Sequence, residues 1–277
     1  MSHMSHIPLR RALMAVAALG VAAHAATAQS SGQQSAYVAL IYTPVAGLPP
    51  LPPVTDSLGK SGVSLLGRVG HTSRDGGALT LTSYALGVEI PRGRMRLGAT
   101  LGYLSASCGF EWQGSNDCAG DIMIGGSARG LITSMPLGQS EAPSNGKKAA
   151  SSSSNQGKLI VGFDGAVGYS PRQGETAMAA AANMPTGLAL QSGSVRIMPF
   201  LTPGVAYGRL GNIAYEGEDE APTSHGAITF VIGGGVGLQF GTSGIGANVG
   251  FQRVLKGYGG ATQLGVGMTW NGVTAAR

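Results

Sequence analysis

The chain has 277 residues, 47 of them glycine, with 43% hydrophobic and only 11% charged residues. Ordinary soluble domains carry roughly 7% glycine and roughly 25% charge, so this composition argues against a typical cytosolic enzyme, while the apolar content excludes disorder. The formal charge of +5 carries no basic stripe with interleaved aromatics, which sets nucleic acid aside as a partner.

The N-terminal segment has Arg10 and Arg11, an apolar stretch from Ala12 to about Ala23, and the small-x-small sites Ala23-His24-Ala25 and Ala26-Thr27-Ala28. It reads as a secretory signal peptide over residues 1–28, leaving 29–277 as one mature domain. Eighteen basic residues less Arg10 and Arg11 leave 16 against 13 acids, a formal charge of +3. Beyond that segment no apolar run reaches the roughly 18 to 20 residues of a spanning helix, which excludes a multi-helix membrane protein.

In chain order, Ala36 to Tyr42 is a possible first strand, and Leu48 to Pro53, with four prolines, reads as an extended connection. From about Val63 onward a period of two dominates. Tyr84, Leu86, Val88 and Ile90 alternate with a face carrying Glu89; Met95, Leu97, Leu101 and Tyr103 oppose Arg96, Gly98, Thr100 and Gly102. Ile122, Ile124, Ala128 and Ile132 oppose Asp121, Ser127 and Arg129, and Leu159, Val161, Phe163, Val167 and Tyr169 oppose Lys158, Gly162, Asp164, Ala166 and Gly168. Gln139 to Gln156 and the acidic stretch Glu216 to Glu220 read as loops, and Glu175 to Asn183, with its alanine run, as one or two helical turns or a plain loop. Val195, Ile197, Leu201, Val205 and Tyr207 oppose Arg196.

The rule is clearest at the end of the chain. Ile228, Phe230, Ile232, Gly234, Val236, Leu238 and Phe240 alternate with Thr229, Val231, Gly233, Gly235, Gly237 and Gln239; Ile245, Ala247, Val249 and Phe251 with Gly246, Asn248, Gly250 and Gln252; Leu264, Val266, Met268 and Trp270 with Gln263, Gly265, Gly267 and Thr269. A soluble sandwich also alternates, but its polar face is rich in Lys, Glu and Thr. Here that face is mostly Gly, Ala and Ser, which suits the crowded interior of a small barrel whose greasy face meets lipid.

The expected fold is therefore all-β: a closed antiparallel up-and-down transmembrane β-barrel of eight to ten strands. Nine strands follow from Val63, and such barrels are even-numbered. Ala36 to Tyr42 makes ten, and losing the weak Leu79 to Ile90 makes eight. Ten places two long connections, Ser107 to Ala119 and Pro171 to Gly193, on the periplasmic side, where short turns are the rule.

With this pattern and Gln263, Gly265, Met268 and Trp270 in the last strand, the sequence resembles the small bacterial outer-membrane β-barrel family, OmpA-like and OmpX-like and porin-related. Those four residues match its assembly signal of polar, any, Gly, two of any, hydrophobic, any, aromatic. The resemblance implies the cell outer membrane as location, outer-membrane lipid and the barrel-assembly machinery as partners, and no catalytic residue.

The charges of inward parity, Arg68, Glu89, Arg96, Asp121, Arg129, Lys158, Asp164 and Arg196, either pair across a plugged lumen or line a narrow, anion-favouring passage. Cys108 and Cys118, in an exported chain, are set to form a disulfide, the alternative being two free thiols. A metal site lacks ligands, since His71 and His225 are the only mature histidines. His71-Thr72-Ser73 resembles the His-x-Ser arrangement of barrel lipid A deacylases but sits early and beside a turn, where a polar strand end accounts for it. The glycine clusters lack the strand-to-helix context of a phosphate loop, so no cofactor is expected. The expected role is non-enzymatic, envelope-structural or surface-interacting through a ligand the sequence does not name, with a narrow passive pore as the alternative.

Overall fold

A computed structural model describes residues 48, 50–55, 62–74, 79–108, 121–137, 157–172, 175–213, 223–241, 244–255 and 262–271. The expected signal peptide, the possible strand Ala36 to Tyr42, Cys118 and the side chain of Cys108 lie outside the described residues.

The described residues form eleven strands: β1 (Ser64–Arg74), β2 (Leu79–Arg92), β3 (Met95–Cys108), β4 (Asp121–Leu137), β5 (Gly157–Arg172), β6 (Glu175–Asn183), β7 (Thr186–Ser192), β8 (Val195–Ile213), β9 (Thr223–Phe240), β10 (Ile245–Val254) and β11 (Thr262–Asn271). All pairings are antiparallel; each strand pairs with its sequence neighbours except that β6 and β7 pair not with each other but both with β5 and β8, and β1 pairs with β11 from Ser64 opposite Asn271 to Ser73 opposite Thr262. That pairing closes the sheet and leaves no exposed edge.

The barrel has ten staves, because β6 and β7 are two parts of one. Both lie between β5 and β8. Pro185 interrupts the ladder, having no N–H to give. Its carbonyl still accepts from Gly162 N at 2.8 Å, and Met184 N donates to Pro203 O at 2.9 Å. The alternation runs through unbroken, with Ala177, Ala179, Ala181, Pro185, Gly187 and Ala189 buried inside and Met178, Met184 and Leu190 exposed outside.

Two expectations are corrected here. Glu175 to Asn183 is neither helical turns nor a loop but part of a spanning stave; tertiary pairing overrides the helix preference of four alanines. The stave that completes ten described staves is therefore Glu175–Ser192, and Leu79 to Ile90 lies within the full 14-residue stave β2. The extra stave also moves the Ser107 to Ala119 connection to the end of the barrel away from Asn271, so the objection to ten disappears.

Two tight hairpins and a short turn shape the C-terminal end, where Asn271 and the start of β1 lie. Gly93 (φ 63°) and Gly193 (φ 58°) open two-residue turns between Arg92 and Met95 and between Ser192 and Val195. Positive φ there matches the right-handed twist of the flanking strands. Gly244 (φ 72°) has a second reason to be glycine, since a methyl group would meet the Asn271 carbonyl oxygen.

The outward face is an apolar belt on all sides. Leu86 is 74% exposed, Met268 64% and Leu101 60%, and Tyr84, Tyr103, Ile122, Val167, Leu201, Val249, Val266 and Trp270 are exposed with them. Soluble monomers rarely expose contiguous apolar patches beyond a few hundred Å². The inward face holds the core: Leu81, Leu104, Met123, Ala177, Ala206, Leu210, Val231 and Val254 cluster in the half away from Asn271, and Ile160, Ala189 and Met198 pack nearer to it.

Candidate functional site

The lumen brings charge together on four adjacent staves. Arg96 of β3 stands opposite Arg129 of β4, which stands opposite Asp164 of β5, while Glu89 lies on β2 beside them. Each has inward parity. The Glu89 carboxylate sits between two guanidinium groups: Oε2 accepts from Arg96 Nε at 3.2 Å and from Arg129 Nη2 at 3.1 Å, and Oε1 is 2.9 Å from Arg129 Nε. The three side chains are 3%, 1% and 8% exposed. One buried carboxylate thus neutralises part of two buried cations, a geometry tolerable only because the groups are paired and hydrogen-bonded.

The same cluster reaches the seam where β1 meets β11. Arg96 Nη2 donates to the Gly62 carbonyl at 3.0 Å and to the Ser64 hydroxyl. Ser64 Oγ donates to Asn271 Oδ1 at 2.5 Å, and Asn271 holds the Gly244 carbonyl through its backbone N at 2.8 Å and Nδ2 at 3.1 Å. A continuous buried polar chain therefore runs from β4 across β2 and β3 to both sides of the closing strand pair.

A second feature fills the lumen. Residues Leu48 and Pro50–Thr55 lie inside the barrel, with Leu48, Leu51, Val54 and Thr55 buried. Asn248 Nδ2 donates to the Pro50 carbonyl at 3.2 Å, and Arg129 Nη1 to the Pro52 carbonyl at 3.3 Å. Proline carbonyls have no neighbouring N–H to compete for, so a wall of donors suits them. The proline rings rest on glycines: a methyl at Gly237 would come within 3.0 Å of Pro52 Cγ, at Gly187 within 2.9 Å of Pro53 Cγ, and at Gly233 within 3.1 Å of Pro50 Cγ. The lumenal glycines thus make room for this segment as well as for curvature.

Two lumenal voids beside the segment measure about 40 and about 50 Å³. At roughly 10 to 15 Å³ per water, each has room for a few waters.

Of the eight expected lumenal charges, Arg68, Glu89, Arg129 and Asp164 line one void and Glu89, Arg96, Arg129 and Arg196 the other. Arg68 Nη2 lies 3.5 Å from Thr100 Oγ1, and Arg196 Nη1 donates to Gln239 Oε1 at 3.3 Å. Asp121 begins β4 at the far end, apart from the cluster, and Lys158 is exposed at the C-terminal mouth. Sequence reasoning missed Ser64, Asn248, Asn271 and the proline segment. The inward parity of Asn248 was legible, but nothing in six residues of Leu48 to Pro53 marks a lumenal path.

His71 and Ser73 share the outward parity of β1, and the partner of the His71 ring is a hydroxyl, Thr82 Oγ1 at 3.4 Å from Nδ1. Among the described residues no three His, Cys, Asp or Glu side chains gather as a metal site. In β11, Met268 and Trp270 face outward and Gln263 is buried inside.

No protein-family model matches the chain, and no curated protein matches it. Among solved structures, the outer membrane enzyme PagL is 13% identical with a TM-score of 0.35, the match covering 75% of this chain and 99% of that one. The N-terminal β-barrel domain of Pseudomonas aeruginosa OprF is 12% identical at a TM-score of 0.28, covering 76% and 100%. Ail, the attachment invasion locus protein of Yersinia pestis, is 12% identical at 0.26, covering 76% and 97%.

Proposed function

We propose that this protein is a non-enzymatic β-barrel of the outer membrane, closed by its own proline-rich segment and serving as an envelope-structural or surface-interacting element. The observation that carries the reading is the pairing of a greasy outside with a filled inside. Water would have to cover the belt around Leu86, Leu101 and Met268, whereas hydrocarbon covers it at no cost. The staves, from 10 residues in β10 to 19 in β8, exceed or match the roughly 9 to 11 that a tilted membrane strand needs.

Outer-membrane lipid is then the partner of the belt, and the barrel-assembly machinery the partner of β11, whose Met268 and Trp270 stand outward. A cleaved leader over residues 1–28 supplies export. His71 and Ser73 are a polar strand end in this reading, since the ring faces Thr82 rather than an acid.

The test is conductance of the purified protein in planar bilayers. The closed barrel gives no unitary steps in chloride or other salts. A steady ohmic step would instead establish the second reading, a narrow pore, which the excess of Arg68, Arg96 and Arg129 over Glu89 and Asp164 would make anion-leaning.

A further inference from the structure

The segment inside the barrel carries a short repeat. Residues 48–55 read Leu-Pro-Pro-Leu-Pro-Pro-Val-Thr, so that a branched apolar side chain recurs at every third position, Leu48, Leu51 and Val54. Proline fixes its own φ near about −65° and holds the residue before it extended. The sequence therefore dictates a polyproline II strand, in which about three residues make a turn and residues three apart share an edge. Leu48, Leu51 and Val54 form that edge, and they are 1%, 7% and 2% exposed.

The wall is shaped to such a strand. Five inward glycines on four staves leave room for the rings. A methyl at Gly233 would lie 3.1 Å from Pro50 Cγ and one at Gly250 3.5 Å from Pro50 Cδ; one at Gly237 would lie 3.0 Å from Pro52 Cγ; and methyls at Gly187 and Gly162 would lie 2.9 Å from Pro53 Cγ and 3.6 Å from Pro53 Cβ. Two buried side chains take the carbonyls, Asn248 that of Pro50 and Arg129 that of Pro52. Rings on glycine and carbonyls on side-chain donors suit a proline strand, which has no N–H to offer at its prolines and little conformational freedom to lose on binding. Residues 50–55 join no strand ladder, whereas the barrel closes through its own β1–β11 pairing. Wall and occupant are thus separable, because the hydrogen-bonded ladder is complete without the segment.

We propose that the lumen on the Asn271 side is a binding site for a proline-rich peptide of the pattern Leu-Pro-Pro-Leu-Pro-Pro-Val, that residues 48–55 occupy it in cis, and that the same peptide supplied in trans takes their place when they are absent. The inference rests on the reading of a barrel closed by its own segment and deepens it; the membrane location does not enter.

The test uses the full chain with residues 48–55 replaced by a Gly-Ser stretch of equal length, and a fluorescein-labelled Leu-Pro-Pro-Leu-Pro-Pro-Val-Thr peptide followed by fluorescence anisotropy. The replaced chain, folded as parent-like far-ultraviolet circular dichroism shows, binds the peptide saturably. The parent binds it at least about tenfold more weakly, since a tethered occupant competes at an effective concentration on the order of millimolar. In the replaced chain Asn248→Ala weakens binding roughly three- to tenfold through the lost hydrogen bond, and Gly237→Ala about tenfold through the methyl set against the Pro52 ring. A peptide with alanine at every proline position binds at least about tenfold more weakly, its strand no longer preformed. Absence of saturable binding to the folded replaced chain, equal binding by parent and replaced chain, or equal binding of the alanine peptide overturns the proposal. Where the replaced chain does not fold alone, the peptides are added during refolding. Recovery of the parent-like spectrum with the proline peptide and not with the alanine peptide supports the site, and recovery with neither or with both overturns it. A steady ohmic step from the parent in planar bilayers sinks the closed barrel instead, and the peptide comparison still judges the site.

Discussion

Replacing Glu89 with alanine is expected to destabilise the barrel by about 3 to 5 kcal/mol, the cost of stranding buried charge when one partner of an ion pair is removed. Arg96 and Arg129 share this carboxylate and are almost fully buried. Without it, two guanidinium groups side by side in the β3–β4 ladder repel each other. The damage extends to closure, because Arg96 also holds Ser64, which holds Asn271 at the seam. Unfolding of the detergent-purified barrel, followed by the loss of its fast-migrating band with temperature, measures the effect. Glu89→Gln keeps an acceptor for one guanidinium and loses less. If Glu89→Ala unfolds within a few degrees of the parent, the cluster does not stabilise the lumen.

The second large effect separates membrane from water. Leu86→Arg places a charge at the middle of β2 on the outward face, at the most exposed of the large apolar positions. In a soluble protein an exposed site of this kind tolerates substitution within about 0.5 kcal/mol. In a bilayer, arginine near the midplane of a barrel costs about 2 to 4 kcal/mol. Folding into lipid vesicles should therefore be weakened by that amount, while Thr82→Arg, near the far end of the same stave, should cost less than about 1 kcal/mol. Equal, near-zero effects at both positions would mean that the belt does not meet hydrocarbon.

Much of the fold was legible because one face of most staves is large and the other small. Phe230, Val236 and Phe240 against Gly233, Gly235 and Gly237 in β9 leave no doubt of the period, and inward parity alone picked out Glu89, Arg96 and Arg129. The contrast fails in Glu175–Ser192, where Ala177, Ala179 and Ala181 face inward and Ala180 and Ala182 outward. With small residues on both faces a period of two is invisible, and alanine's helix preference fills the gap.

The proline segment failed for a different reason. Leu48 to Pro53 carries an extended conformation in its sequence, but extended chain outside and extended chain inside a barrel read alike. Its place is written in the wall instead, in Gly187, Gly233 and Gly237 beneath the rings and in Asn248 and Arg129 beside the carbonyls. The bridging role of Glu89 likewise depends on a register that no single strand displays.

The measurement that tests the central claim most directly is cell fractionation followed by electrophoresis of the extracted protein, heated and unheated. A closed barrel in the outer membrane is recovered with that membrane and migrates faster until it is boiled, since its ladder from β1 to β11 has no edge at which detergent can begin to unzip it. Recovery in the aqueous fraction with one mobility before and after heating would contradict both the membrane location and the closed, lipid-facing barrel.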